Sequence, residues 1–125
     1  METTLYIEGT AYTPEINFNV TEVTFTIKGR SMPENTEKFY NPILDWLRVN
    51  LHHQFIKGNI DVALEYYNTG SFIRLMALFN LLEELNEKDN ELCVRWICES
   101  EDEDNIADGQ SFKEVVKIPF EVIEL

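Results

Sequence analysis

The turn Asn68-Thr69-Gly70-Ser71 brings two hydroxyl groups to the junction of two differently patterned segments. Before the turn, residues 60–67 alternate between apolar and polar side chains, which is the pattern of a half-buried β-strand. After the turn, apolar residues recur at helical spacing, at Phe72, Leu75 and Phe79. Asn, Thr and Ser favour helix N-caps, and the N–H groups at a helix start attract anions. The turn is therefore suited to carry a phosphate on Thr69.

The helix after the turn is apolar on more than one side, and a helix that covers a sheet needs only one apolar stripe. The surplus is either buried against the preceding helix or exposed as a partner-binding surface. A phosphate on Thr69 would add about −1.5 to −2 charges beside that surface, and Arg74, one turn further on, could pair with it. The candidate partner contacts are Asn68, Gly70, Ser71, Phe72, Arg74 and Leu75.

Other groupings of reactive side chains do not match known catalytic or metal sites. His52 and His53 are adjacent, and adjacent helical side chains point about 100° apart, so they do not face one metal. The acidic run 99–108 departs from the EF-hand pattern at Ile106 and Ala107, although weak divalent binding there stays open. Cys93 and Cys98 lie on opposite faces of one strand and are expected to be free thiols. We expect no enzymatic activity, no cofactor and no metal.

Length and net charge limit the domain organisation and the kinds of partner that the protein could bind. At 125 residues the sequence predicts one domain spanning residues 1–125. A net charge of −13 argues against binding nucleic acid or anionic lipid, and a partner with a basic face is the complement. No apolar run approaches the roughly 20 residues of a membrane span. The start of the sequence has no signal-peptide pattern, so we expect a cytoplasmic location.

Alternating patterns predict the strands. Leu5 and Ile7 indicate a short first strand, and residues 16–20 and 23–27 indicate a β-hairpin that ends at Gly29. Further strands are predicted at 59–67, around 92–97 and over 116–122. Pro119 cannot donate to a β-ladder, so the last strand is expected at a sheet edge or bulged there.

Three helices are predicted between these strands. The first follows Asn35 and ends at Gly58, and Pro42 predicts either a kink or a second start capped by Asn41. The second spans 71–88. The third begins at a capping box, Ser100 to Glu103, and ends near Gly109. Because the strands alternate instead of forming continuous apolar runs, we expect an α/β fold with a mixed sheet and helices mainly on one face.

Several of these segments also resemble one family in their order and spacing. They are Gly29-Arg-Ser-Met-Pro-Glu-Asn35, Phe39-Tyr-Asn-Pro-Ile-Leu-Asp-Trp46, Tyr67-Asn-Thr-Gly-Ser71, Arg95-Trp96 with its acidic tail, and Pro119-Phe120. Over nearly the whole chain they resemble the SiaC family of bacterial regulatory phosphoproteins. The resemblance implies a fold similar to the STAS domain of anti-sigma-factor antagonists. Gly70 takes a place where the family commonly carries the first of two serines.

The resemblance implies a partner-switching role with Thr69 as the phosphoacceptor. It further implies a dedicated kinase with a histidine-kinase-like ATPase fold and a phosphatase of the PP2C/SpoIIE type. The unphosphorylated protein would bind and activate a diguanylate cyclase or another effector, which raises cyclic di-GMP and favours biofilm. The alternative is a constitutive interaction or scaffold module in which Thr69 is only a helix cap. A small-molecule enzyme is the third hypothesis.

Overall fold

The computed structural model describes residues 3–52 and 54–125, and within them the chain forms six strands and three helices. The strands are β1 (Thr4–Ile7), β2 (Glu15–Asn19), β3 (Thr24–Ser31), β4 (Lys57–Tyr67), β5 (Glu91–Cys98) and β6 (Phe120–Glu124). The helices are α1 (Thr36–Leu51), α2 (Thr69–Asn86) and α3 (Glu103–Val115). None of these helices is both long and apolar enough to cross a membrane.

The strands form one mixed sheet in chain order, β1-β2-β3-β4-β5-β6. The pairs β1–β2 and β2–β3 are antiparallel, as predicted for the hairpin, and β3 to β6 run parallel. Each parallel connection contains one helix, because parallel neighbours cannot be joined by a tight turn. The C-terminal ends of β3, β4 and β5 therefore share one edge of the sheet.

The apolar side chains of the strands share one face. One row across the sheet carries Leu5, Phe18, Phe25, Ile60, Val94 and Phe120. Each helix places an aromatic ring on this face: Trp46 against Phe18, and Phe79 and Phe112 against Trp96. The adjacent row on the opposite face is polar and unburied, with Asp61 and Arg95 at its centre. The prediction of helices on one face is confirmed.

Helix α1 is continuous through Pro42, so the predicted second start at Asn41 is wrong. Asn35 caps the helix, and its Oδ1 accepts a hydrogen bond from the Lys38 N–H at 3.0 Å. A proline inside a helix costs about 3 kcal/mol. Burial of the α1 face that includes Tyr40 and Leu47 offsets this cost. The helix ends at Leu51, whereas the predicted end, Gly58, lies inside β4.

Two further glycines are not element ends. Gly29 lies inside β3 at a register shift, where its φ of +112° is a conformation that side chains with a Cβ rarely adopt. Gly109 lies within α3, and glycine is needed there because a Cβ would be 2.5 Å from Trp96 Cδ1. Asp102, not Ser100, caps α3 and accepts from the Asn105 N–H at 3.1 Å.

Other sequence predictions hold at the far edge of the sheet. β6 is the edge strand, and Pro119 precedes it, where the missing N–H costs no ladder bond. Cys93 is half-buried and Cys98 is buried on the opposite face, and both are free thiols. Of the two adjacent histidines, His52 follows α1, and His53 lies outside the described residues.

Candidate functional site

Thr69 is the first residue of α2, directly beyond the end of β4. Its side chain is exposed and makes no hydrogen bond within residues 3–52 and 54–125. The helix cap is Asn68, whose Oδ1 accepts from the Ser71 N–H at 2.8 Å. The hypothesis that Thr69 acts as the helix cap is therefore wrong, because a neighbouring side chain fills that role. The Thr69 hydroxyl is left available to other molecules.

A buried cluster of hydrogen-bonded side chains holds the turn between β4 and α2 in place. Ser71 Oγ donates to the Ser31 carbonyl at 2.9 Å, and Ser31 Oγ donates to Ser71 Oγ at 2.8 Å. Because the Ser31 proton is used there, Tyr40 donates its hydroxyl to Ser31 Oγ, at 2.5 Å. Burial raises the pKa of Tyr40, which keeps the donor protonated. The Asn68 N–H also reaches the Ser31 carbonyl, so the end of β3 supports the beginning of α2.

The first turns of α1 and α2 are in direct contact at Gly70. A Cβ at Gly70 would lie 2.7 Å from Thr36 Cγ2 and 2.9 Å from Thr36 Oγ1. The absence of a side chain at Gly70 therefore makes room for Thr36 at the start of α1. This contact places two helix N-termini, each with partial positive charge, beside Thr69. The first turn of α2 carries no acidic residue that would offset this charge, whereas the first turn of α1 carries Glu37.

A shallow pocket of about 200 Å³ opens beside Thr69 and is lined by Tyr67, Asn68, Thr69, Phe72 and Asp108. Tyr67 donates its hydroxyl hydrogen to Asp108 Oδ2 at 2.6 Å and lies 3.2 Å from Asn105 Oδ1. Burial, the hydrogen bond to Asp108 and the charge of that carboxylate all raise the pKa of Tyr67. The phenol is thus a protonated donor over the ordinary pH range.

Asn105 ties this pocket to the sheet. Its Nδ2 donates to the Leu64 carbonyl at 3.0 Å, and its Oδ1 accepts from Trp96 Nε1 at 3.0 Å. Sequence reasoning missed Tyr67, Asn105 and Asp108 as site residues. Tyr67 could have been noticed as the last strand residue before the turn. No sequence signal separates Asp108 from its acidic neighbours, because only the packing of α3 brings it to Thr69.

The predicted partner contacts divide by burial. Ser71 and Leu75 are 0% exposed, so their side chains are not accessible to a partner in this structure. Both point inward because Ser71 bonds to β3 and Leu75 joins the core. Asn68, Gly70, Phe72 and Arg74 are half-buried, so part of the surface of each remains accessible to a partner. Ile73, which is 54% exposed, was not among the partner contacts predicted from the sequence.

The surplus apolar surface of α2 is mostly internal, because the helix packs between its neighbours. It contacts α1, and Phe72 stacks on Phe112 of α3 at 4.4 Å between ring centroids. Arg74 donates to Asn41 of α1 at 3.4 Å, and no ion pair involves it within the described part of the chain. Of the two sequence alternatives, burial accounts for most of the surface, and a small exposed area around Ile73 remains.

The acidic run at the start of α3 has a capping role. Asp102 caps the helix, and Glu103 and Asp104 lie in its first turn, where negative charge is stabilised. Within residues 3–52 and 54–125, no group of three or more His, Cys, Asp or Glu side chains is arranged to hold a metal ion.

The fold and the site together define a small α/β protein with an exposed threonine at the start of a central helix. The statistical model of the family described as SiaC family regulatory phosphoprotein matches residues 7–125. The chain belongs to this family. A relative from Pseudomonas aeruginosa strain UCBPP-PA14, an uncharacterised protein, is 28% identical over 118 residues, which is 94% of each chain.

Solved structures agree with this assignment. The crystal structure of apo-SiaC from Pseudomonas aeruginosa is 28% identical with a TM-score of 0.85, and the match covers 98% of this chain and 99% of that one. A chain of the crystal structure of the diguanylate cyclase SiaD in complex with its activator SiaC, from the same species, is 27% identical with a TM-score of 0.89. That match covers 97% of this chain and 99% of the other.

Proposed function

We propose that this chain is a partner-switching regulator that binds and activates a diguanylate cyclase when Thr69 is unphosphorylated. The observation that carries the proposal is the exposed hydroxyl of Thr69 at the N-terminus of α2, which makes no hydrogen bond to the described part of the chain. The full-length similarity to an activator of the cyclase SiaD supports the identity of the effector. The chain acts by binding and not by catalysis in this proposal.

Phosphorylation would change the surface at which binding occurs. The half-buried Phe72 and the exposed Ile73 follow Thr69 within one helical turn. A phosphate adds about −1.5 to −2 charges. An apolar partner surface that packs on these side chains would have to desolvate that charge, which is costly. The unmodified turn therefore binds, and the modified turn repels.

The proposed modifying enzymes are a kinase of the histidine-kinase-like ATPase fold and a phosphatase of the PP2C/SpoIIE type, acting in the cytoplasm. Their balance would set cyclic di-GMP levels and through them biofilm formation. The rival hypothesis of a constitutive module assigned Thr69 to helix capping, and Asn68 has that role instead.

Incubation with the cognate kinase and ATP, followed by phosphopeptide mapping, tests the acceptor. We expect one phosphate on Thr69 and none in Thr69→Ala. Ser111→Ala is the matched control, because Ser111 is also an exposed helical hydroxyl. It should be modified as the wild type is. Phosphate on other residues only, or normal modification of Thr69→Ala, would overturn the proposal.

Binding to a diguanylate cyclase of the same organism tests the switch. Thr69→Ala should keep wild-type affinity, and Thr69→Asp should weaken binding by about tenfold or more, since desolvating one charge costs more than 1.4 kcal/mol. Equal affinities of the two variants would contradict the electrostatic mechanism. Cyclase activity measured in the same mixtures should follow the bound fraction.

A further inference from the structure

We propose that Tyr67 and Asp108 read the phosphorylation state of Thr69, with the Tyr67 hydroxyl bonded to Asp108 in the unmodified chain and to the phosphate in the modified one. The inference rests on Thr69 being phosphorylated, as proposed above. It assigns a positioning role to two residues that do not accept the phosphate themselves. They lie on different elements, Tyr67 at the end of β4 and Asp108 in the middle of α3.

The geometry gives the phenol a single proton and competing acceptors. The hydroxyl lies 2.6 Å from Asp108 Oδ2 and 3.2 Å from Asn105 Oδ1. The shorter distance and the charge of the carboxylate direct the Tyr67 proton to Asp108, and Asn105 Oδ1 accepts from Trp96 Nε1 at 3.0 Å. Thr69 lines the same pocket of about 200 Å³ as the phenol and the carboxylate. A phosphate on Thr69 would therefore enter a space that already holds a negative group and its donor.

Charge decides whether the Tyr67 hydroxyl donates to Asp108 or to the phosphate on Thr69. No Lys, Arg or His of the described residues forms an ion pair with Asp108, so no side-chain cation paired with it offsets its repulsion from a second anion. Asp108 is half-exposed and can turn toward water, whereas the phosphate is fixed to the turn by its ester bond. The dianion also carries more charge than a carboxylate and is the stronger acceptor. The donor moves to the phosphate, and Asp108 leaves the pocket.

The exchange removes one tie between α3 and β4. Asn105 and the contact of Gly109 with Trp96 still hold α3 to the sheet. The segment around Asp108 loses its bond to Tyr67, and its amide hydrogens become easier to exchange. Phosphorylation thus alters the surface of α3 beside Thr69 as well as the charge on the turn.

The test uses the full chain with phosphothreonine incorporated at position 69 during synthesis, so that no kinase is needed. The second pKa of the phosphate, ordinarily about 6, is measured by ³¹P NMR titration. A donor to the dianion lowers this pKa and a neighbouring carboxylate raises it. Tyr67→Phe should therefore raise it by about half a unit, and Asp108→Asn should lower it by about half a unit.

Glu114→Gln is the matched control, because it removes the same charge from an exposed position further along α3. It should shift the phosphate pKa by less than about 0.1. A merely structural role for Tyr67 and Asp108 would not produce shifts of opposite sign. Three variants that titrate alike, or an Asp108→Asn that behaves as Glu114→Gln does, would overturn the inference.

The rate of amide hydrogen exchange over residues 104–110 tests whether this part of α3 is loosened when the bond between Tyr67 and Asp108 is lost. Phosphorylation should speed exchange there by about tenfold in the wild type and by less than about twofold in Tyr67→Phe, where the tie is already absent. Equal acceleration in both proteins would overturn this step. Neither measurement involves the cyclase. If the pKa shifts appear while phosphorylation leaves cyclase binding intact, the proposed function fails and this inference stands.

Discussion

At the scale of single residues, Tyr67 links the turn that carries Thr69, the proposed phosphoacceptor, to α3 through one short hydrogen bond. That bond exists only while the phenol is protonated. Its pKa is raised above the ordinary value of 10.0 by burial and by Asp108. The unfolded chain therefore loses this proton at a lower pH than the folded chain does. The stabilisation is complete below about pH 10 and is lost as the pH rises above that value.

Replacing Tyr67 with Phe should flatten the alkaline decline in stability. Between pH 9 and 11 the free energy of unfolding should fall less steeply in Tyr67→Phe, by at most about 1.4 kcal/mol per pH unit, and by less because the side chain is half-exposed. Urea denaturation at several pH values measures this. Tyr40, Cys93 and Cys98 also have raised pKa values, and they are common to both proteins. Parallel pH profiles would contradict the assignment.

The sequence offered two roles for Thr69, phosphoacceptor and helix cap, and the cap role belongs to its neighbour Asn68. Asn68 and Thr69 both favour helix caps, and composition cannot decide between adjacent candidates. The backbone decides, because Asn68 is extended, with φ −84° and ψ 173°, and Thr69 is already helical. The departure at Gly70 also has a spatial cause, which is the side chain of Thr36.

At the scale of elements, the start of α2 depends on the Asn68 side chain. Its Oδ1 satisfies the Ser71 N–H at 2.8 Å. Asn68→Ala should lower the free energy of unfolding by about 1 kcal/mol, measured by urea denaturation. Thr69→Ala should change it by less than about 0.5 kcal/mol, because its hydroxyl makes no hydrogen bond within the described residues. A larger loss in Thr69→Ala than in Asn68→Ala would reverse the assignment of the cap.

The order and type of the elements could be predicted because alternation and helical spacing are local patterns. The boundaries that failed depend on contacts between distant residues. Gly109 is of the residue type that commonly ends helices, but it lies inside α3, where a glycine is needed because a Cβ would clash with Trp96. Pro42 is tolerated because α1 is buried on the sheet. The inward direction of Ser71 depends on Ser31, which is forty residues away in the chain.

At the scale of the whole molecule, negative charge is the dominant feature. The chain carries 23 acidic and 10 basic residues. Within residues 3–52 and 54–125, five ion pairs are formed, and the closest, between Arg95 and Asp61, is bidentate at 2.6 and 2.7 Å. These partly exposed pairs contribute little each. Repulsion among the remaining carboxylates opposes the compact state.

Salt should therefore stabilise this protein at neutral pH. Raising NaCl from 0.05 to 0.5 M shortens the screening length to roughly 4 Å and weakens the repulsion, which should raise the free energy of unfolding at pH 7 by about 1 kcal/mol. Near pH 4.4, where the sequence has no net charge, the gain should vanish or reverse, because only the attractive pairs are left to screen. A general effect of salt on apolar surface would act equally at both pH values. Equal shifts of the urea midpoint at pH 7 and pH 4.4 would therefore show that net charge does not limit the stability of this fold.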